Sequence, residues 1–262
     1  MLEPSATIST SAEEVRAPGP HGNLEGSLVR AHDPSAPVIL IIPGSGPTDR
    51  DGNSPLGVTA APYRLLAEGL GAKGISTVRI DKRGIFGSAG AVPDSNAVTV
   101  DDYVDDTHAW VKVIRDTTGA ECVWLLGHSE GGLVALAAAG QEDAVCGVVL
   151  VATPGRPLGE VLREQLHANP ANAPLLPQID TAIDALATGS RVDATDLPAS
   201  LLPLFGPPIQ DFLISAFSLD PARRAERVLK PVLIVQGEAD LQVGMSDAEA
   251  LEAAAPSADL VR

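Results

Sequence analysis

No run of eighteen apolar residues occurs in this 262-residue sequence, so no segment reads as a membrane-spanning helix. The opening MLEPSATISTSAEEVRAPGP lacks both a basic start and an apolar stretch, so it does not read as a secretory leader. Basic residues are scarce. Eighteen Lys and Arg stand against 34 Asp and Glu, a net charge of −16, which argues against nucleic acid or an anionic membrane as a partner. Only two cysteines are present, Cys122 and Cys146, too few to staple a chain of this length. A reducing cytoplasm is the simplest setting for them. Each opens an apolar run, which reads as a buried thiol; a disulfide between neighbouring strands is the alternative. There is no H-E-x-x-H and no Cys/His cluster, so neither a metal nor another cofactor is expected.

Apolar material is ample, at 45% of residues and a mean hydropathy of +0.14, enough for one sizeable core. Val38–Ile42, Thr77–Ile80, Val123–Leu126, Val148–Val151 and Val232–Val235 are continuous apolar or β-branched runs, the pattern of strands buried on both faces of a parallel sheet. Helical patterns alternate with them. One runs from about Ala61 to Lys73 and another from near Asp101 to Gly119, and a third follows Ser129. Ser246 and Glu249 read as a capping box for a helix ending before Pro256. Stretches near Glu13–Arg16 and Leu24–Ala31 add an antiparallel edge. Repeated βα units predict an α/β fold, a mostly parallel sheet with helices on both faces. From Gly155 to Asp220 the strands stop, and helical segments (158–167, 179–187, 208–218) are separated by Pro-rich turns. This predicts a core of 1–154 and 221–262 interrupted by a helical cap at 155–220.

The strongest chemical signal is Gly127-His128-Ser129-Glu130-Gly131, a G-x-S-x-G between an apolar strand and a small-residue helix. A sharp strand-to-helix turn strains the serine backbone, and side chains two residues to either side would collide, which explains both glycines. Ser129 reads as a nucleophile at the C-terminal edge of the sheet. The helix behind it aims N–H groups and a positive dipole end at a developing oxyanion. Gly44-Ser45-Gly46 is no dinucleotide fingerprint, because Asp49 stands where the third glycine belongs. Nor is Asp49–Asn53 a calcium loop, since Ser54 and Ala60 replace its glycine and its bidentate acid.

From about Leu24 onward these elements resemble the α/β-hydrolase family. The resemblance implies oxyanion donors at the N–H groups of Ser45 and Glu130, with Gly46 as fallback because Pro47 has no N–H. Asp81-Lys82-Arg83-Gly84-Ile85-Phe86-Gly87-Ser88 resembles the family's D-x-R-G-x-G-x-S turn, with Phe86 replacing one glycine and the role expected to be structural. The triad acid is implied at Asp240, after Val232–Val235, in preference to Glu238. Family order is Ser, acid, His, yet His21, His32, His108, His128 and His167 all precede Asp240. The resemblance therefore implies a histidine beyond residue 262, after a strand that Asp259–Arg262 opens, and an inactive 1–262 on its own. The implied activity is cytoplasmic serine hydrolysis of a small-molecule carboxylic ester. Phe86, Phe205 and Phe212 are candidate substrate contacts. Aminopeptidase or thioesterase chemistry, or a non-catalytic binding role, are the alternatives.

Overall fold

The computed structural model describes residues 12–262, so the first eleven residues of the opening stretch lie outside it. Eight strands form one sheet in the order β1-β2-β4-β3-β5-β6-β7-β8. They are β1 (Glu13–Pro18), β2 (Asn23–Val29), β3 (Val38–Ile42), β4 (Ser76–Ile80), β5 (Val123–His128), β6 (Val145–Val151), β7 (Val232–Val235) and β8 (Ala258–Val261). β1 pairs antiparallel with β2 and β2 antiparallel with β4, and every other pairing is parallel. The α/β architecture expected from the alternating runs is the one found. All five residues of β3 are buried, as a continuous apolar run at the centre of a two-sided sheet requires.

Helices lie on both faces. α1 (Pro62–Gly71) packs on β4 and β2 on one side, while α2 (Val100–Thr118), α3 (Glu130–Ala139) and α9 (Met245–Ala254) build the larger core on the other. α2 begins with a capping box, Thr99 with Asp102, that the sequence reading did not pick out. The box expected at Ser246 is absent. α9 starts two residues earlier, behind Gly244, which has no side-chain oxygen to accept an N–H, so Ser246 is already inside the first turn. Trp124, Val149, Val151, Leu233 and Val235 point to the α1 face but remain only half-buried.

Cys122 and Cys146 form a disulfide, with their Cα atoms 5.2 Å apart, which corrects the expectation of buried thiols. The parallel pairing of β5 with β6 slips at Val123/Trp124, so Cys146 is the extra residue of a bulge and faces Cys122 at the N-terminal end of the sheet. Apolar neighbours in sequence did not reveal this register shift, and both cysteines are half-buried.

Between β6 and β7 come α4 (Leu158–Ala168), α5 (Leu176–Ala187), α6 (Leu202–Phe205), α7 (Gln210–Phe217) and α8 (Pro221–Ala225), joined by short 3-10 turns. Ile179, Ile183, Leu186 and Phe217 share one apolar cluster with the sheet core. The root of this segment is fixed at a buried carboxylate on α9: Asp247 accepts from the Gly155 N–H at 3.0 Å and from the Arg156 guanidinium at 2.9 Å.

Candidate active site

Ser129 sits between β5 and α3 at φ 51, ψ −120, a conformation that costs an L-residue about 1–3 kcal/mol. The surrounding backbone enforces it. The Ser129 N–H donates to Val151 O at 2.9 Å, and its own carbonyl accepts from Gly132 N. The two flanking glycines leave no room for a side chain. A Cβ on Gly127 would stand 2.2 Å from Gly131 O, and one on Gly131 would stand 2.3 Å from Ile42 O. The G-x-S-x-G pattern is thus a packing necessity here, the crossing of strand and helix being too close for any larger residue.

The loop after β3 passes directly over this turn. A Cβ on Gly44 would lie 3.4 Å from the Ser129 Cβ, so the Gly44–Ser45 peptide borders the serine. Glu130 is the first residue of α3, and its N–H therefore has no intrahelical acceptor. Two side chains hold the two segments. Tyr63 Oη accepts from the Gly44 N–H at 3.2 Å and lies 2.9 Å from His128 Nδ1. Lys82 Nζ donates to Gly44 O at 2.8 Å and to Glu130 Oε1 at 3.1 Å. Burial pushes the His128 pKa below the ordinary imidazole value, with the Asp240 charge acting in the opposite sense. The Tyr63 hydroxyl thus links the Gly44 amide to the His128 ring. Burial likewise raises the Tyr63 phenol. Neither Tyr63 nor Lys82 was among the sequence candidates. Lys82 carried one signal, its place inside the D-x-R-G turn; Tyr63 carried none.

Asp240 lies in the loop after β7. Its Oδ1 accepts from Gln242 N at 2.8 Å and from Val243 N at 3.1 Å, an arrangement that fixes the carboxylate and leaves Oδ2 open. Gln236 anchors the same loop, its Nε2 donating to Val243 O at 2.8 Å. Glu238 is exposed. Among the described residues no hydrogen bond joins a histidine to Ser129 or Asp240. His21 and His32 are exposed, His108 faces Ala138 O, and His167 pairs with Asp180.

The Asp81–Ser88 turn is a structural brace. Asp81 accepts from the Arg50 N–H at 2.8 Å and from its guanidinium, and Arg83 forms a fork onto Asp106 at 2.7 and 2.8 Å. Burial pushes the Asp106 carboxyl up while Arg83 draws it down. Phe86, where the resembling turn has glycine, adopts a glycine-like φ of 46.

Two cavities flank the site. One of about 600 Å³ is lined by Ser129, Ser45, His128, Leu66, Leu126 and Val151, among others. The other, about 260 Å³, lies between Lys82, Glu130, Ile85, Tyr103, Ile209 and Phe212. Of the three phenylalanines expected near substrate, only Phe212 lines a cavity, edge-on to Tyr103 with ring centroids 6.4 Å apart. Phe205 is corrected to a packing residue: it is fully buried at the end of α6, its carbonyl taken by Gln210 Nε2. Phe86 lines neither cavity, because its turn directs it to the surface. No group of three or more His, Cys, Asp or Glu able to hold a metal ion occurs among the described residues. Among them, no helix is long and apolar enough to cross a membrane.

Comparison with known proteins agrees with this geometry. Esterase EstD of Thermotoga maritima is 29% identical over 217 residues, which cover 81% of this chain and 48% of that protein. The chain thus spans about half the length of this curated relative. An esterase of Pyrococcus furiosus superposes with a TM-score of 0.63 at 16% identity, covering 97% of this chain and 81% of its own. Est1E of Butyrivibrio proteoclasticus gives 0.62 at 17% identity, covering 96% and 88%. At these identities the solved structures show the fold. The family model described as "Serine aminopeptidase, S33" matches residues 56–195, more than half of the sequence, and the chain belongs to that family of α/β hydrolases.

Proposed function

We propose that this protein hydrolyses small-molecule carboxylic esters through a serine nucleophile. The observation that carries the reading is the strained Ser129, packed against the Gly44–Ser45 peptide on one side and the first turn of α3 on the other. In the proposed reaction Ser129 Oγ attacks the ester carbonyl, and the N–H groups of Ser45 and Glu130 receive the oxyanion. A histidine oriented by Asp240 Oδ2 takes the serine proton and returns it to the leaving alcohol, and water then releases the acyl group. None of the five histidines hydrogen-bonds Ser129 or Asp240, so the scheme takes its base from a histidine other than these five. The esterase name of the Thermotoga relative supports an ester substrate, as does the ferulic acid bound to Est1E. No cofactor, nucleic acid or membrane enters the scheme. The Cys122–Cys146 bridge favours an oxidising compartment over the cytoplasm expected from the cysteine count.

The family's aminopeptidase description supports a second reading, amide hydrolysis on the same residues. A panel of p-nitrophenyl esters, acyl-CoAs and aminoacyl p-nitroanilides separates the readings by relative kcat/KM. A fluorophosphonate probe should label the natural full-length protein at Ser129 and leave Ser129→Ala untouched. An unlabelled natural protein would instead establish a non-catalytic role.

A further inference from the structure

We propose that Lys82 is a positioning residue that sets both halves of the oxyanion hole, an inference that rests on the ester-hydrolase reading above. Its ammonium is buried and shared between the two segments that supply the donors, Gly44 O at 2.8 Å and Glu130 Oε1 at 3.1 Å. A peptide group is planar and, with no cis bonds in the described chain, the carbonyl of residue 44 and the N–H of residue 45 point in opposite directions. Drawing Gly44 O toward Lys82 therefore turns the Ser45 N–H the other way. The preceding peptide is held as well, its N–H donated to Tyr63. On the opposite side, the Glu130 carboxylate ties the first turn of α3, and with it the Glu130 N–H, to the same ammonium. The Tyr103 ring, 5.2 Å from the ammonium, adds a cation–π contact that favours this position.

A pair placed only for stability could face any buried polar group. This one connects the two main-chain segments on which the transition state depends, and one of its contacts is to a carbonyl whose peptide partner is the donor. Removing Lys82 releases the Gly44–Ser45 peptide, and the loss falls on the transition state more than on substrate binding.

The test uses the natural full-length protein and three forms: wild type, Lys82→Arg, and the double variant Lys82→Met with Glu130→Gln, which leaves no unpaired buried charge and so keeps the fold. With p-nitrophenyl butyrate the double variant should lose about 10²-fold in kcat with KM nearly unchanged. A trifluoromethyl ketone probes the same donors. Ser129 Oγ adds to its carbonyl carbon, the serine proton passes to the base, and the carbonyl electron pair ends on oxygen as the oxyanion. Its affinity should fall by the same factor as kcat/KM, and Lys82→Arg, which keeps two donors on one cation, should recover most of both. Crystals of the double variant should show the Gly44–Ser45 peptide rotated. An unrotated peptide, or unchanged kcat and inhibitor affinity in a folded double variant, would overturn the proposal. Failure of the ester-hydrolase reading looks different: the wild type neither turns over esters nor binds the ketone, while the peptide orientation still answers for Lys82.

Discussion

Gly131→Ala isolates the close crossing on which the serine turn depends. The new methyl would stand 2.3 Å from Ile42 O and 2.6 Å from Pro43 O. An ordinary carbon–oxygen contact is about 3.3 Å, so the two segments must separate by ~1 Å. Both obstacles are main-chain carbonyls at the end of β3, and neither can rotate aside as a side chain would. Overpacking of this kind costs about 1–3 kcal/mol, and replacing glycine inside a helix returns up to about 1 kcal/mol, leaving a net loss of about 1–2 kcal/mol. For a domain of this size that lowers Tm by about 2–8 °C. The effect on rate is disproportionate, because Ile42 and Pro43 lead straight into Gly44 and Ser45, and a 1 Å misplacement of a reacting group costs on the order of 10²-fold. Thermal unfolding and p-nitrophenyl butyrate hydrolysis measure the two quantities on one preparation. Gly140→Ala is the matched control at the other end of α3, where the nearest atom to a new Cβ is Leu136 O at 4.0 Å. It should keep activity and unfold at the same or a slightly higher temperature. If Gly131→Ala behaved like Gly140→Ala, the close-crossing account of the elbow would be wrong.

Phe86→Gly should raise stability by about 1 kcal/mol, read from urea midpoints, because a bulky residue at φ 46 forgoes the freedom glycine has there; a lower midpoint would contradict this. His128 binds its proton less readily folded than unfolded, so the unfolded chain takes up the extra proton. Its contribution to stability is thus present above pH 6.5 and drains away as pH falls through the lowered folded pKa; urea titrations between pH 8 and 5 should show this slope, weakened in His128→Gln. Cys122→Ser with Cys146→Ser opens a bridge across a sequence separation of 24 and should cost about 3 kcal/mol, with little change in kcat because the bridge sits at the sheet end opposite Ser129; thiol titration of the unfolded, unreduced protein should find no free thiol.

What the amino-acid order revealed was whatever depends on neighbours along the chain. Val232–Val235 is found with the bounds its apolar run suggests, and Gly119 ends α2 at φ 80 in the left-handed conformation that favours glycine. Ser129 was legible because its strain demands glycines at fixed offsets. Contacts made across the fold left no such trace. Tyr63 acts on the main chain 19 residues before it and on His128, 65 residues after it. The disulfide depends on a one-residue slip between β5 and β6 that no local pattern encodes. Phe205 and Phe212 share an apolar helical context, and only the tertiary packing decides that the first lies inside the helical layer and the second on a cavity wall.

The buried Asp247 has a mechanical consequence for the helices between β6 and β7. Because Gly155 and Arg156 are both moored to it, the point where the chain leaves β6 is welded to α9, next to the loop that carries Asp240. Swinging the helices about that point would drag a desolvated carboxylate off its partners, so the welded end acts as an axle seat and not as a hinge. The return is seated as well: Leu219 is buried in the main apolar core, and Asp220 caps the short helix that follows by accepting from the Arg223 N–H. Any widening of the smaller cavity is then left to the half-buried side chains of Ile209 and Phe212, while the acid loop stays in place. Hydrogen exchange at the Gly155 amide as slow as in β5 is the signature of that anchorage.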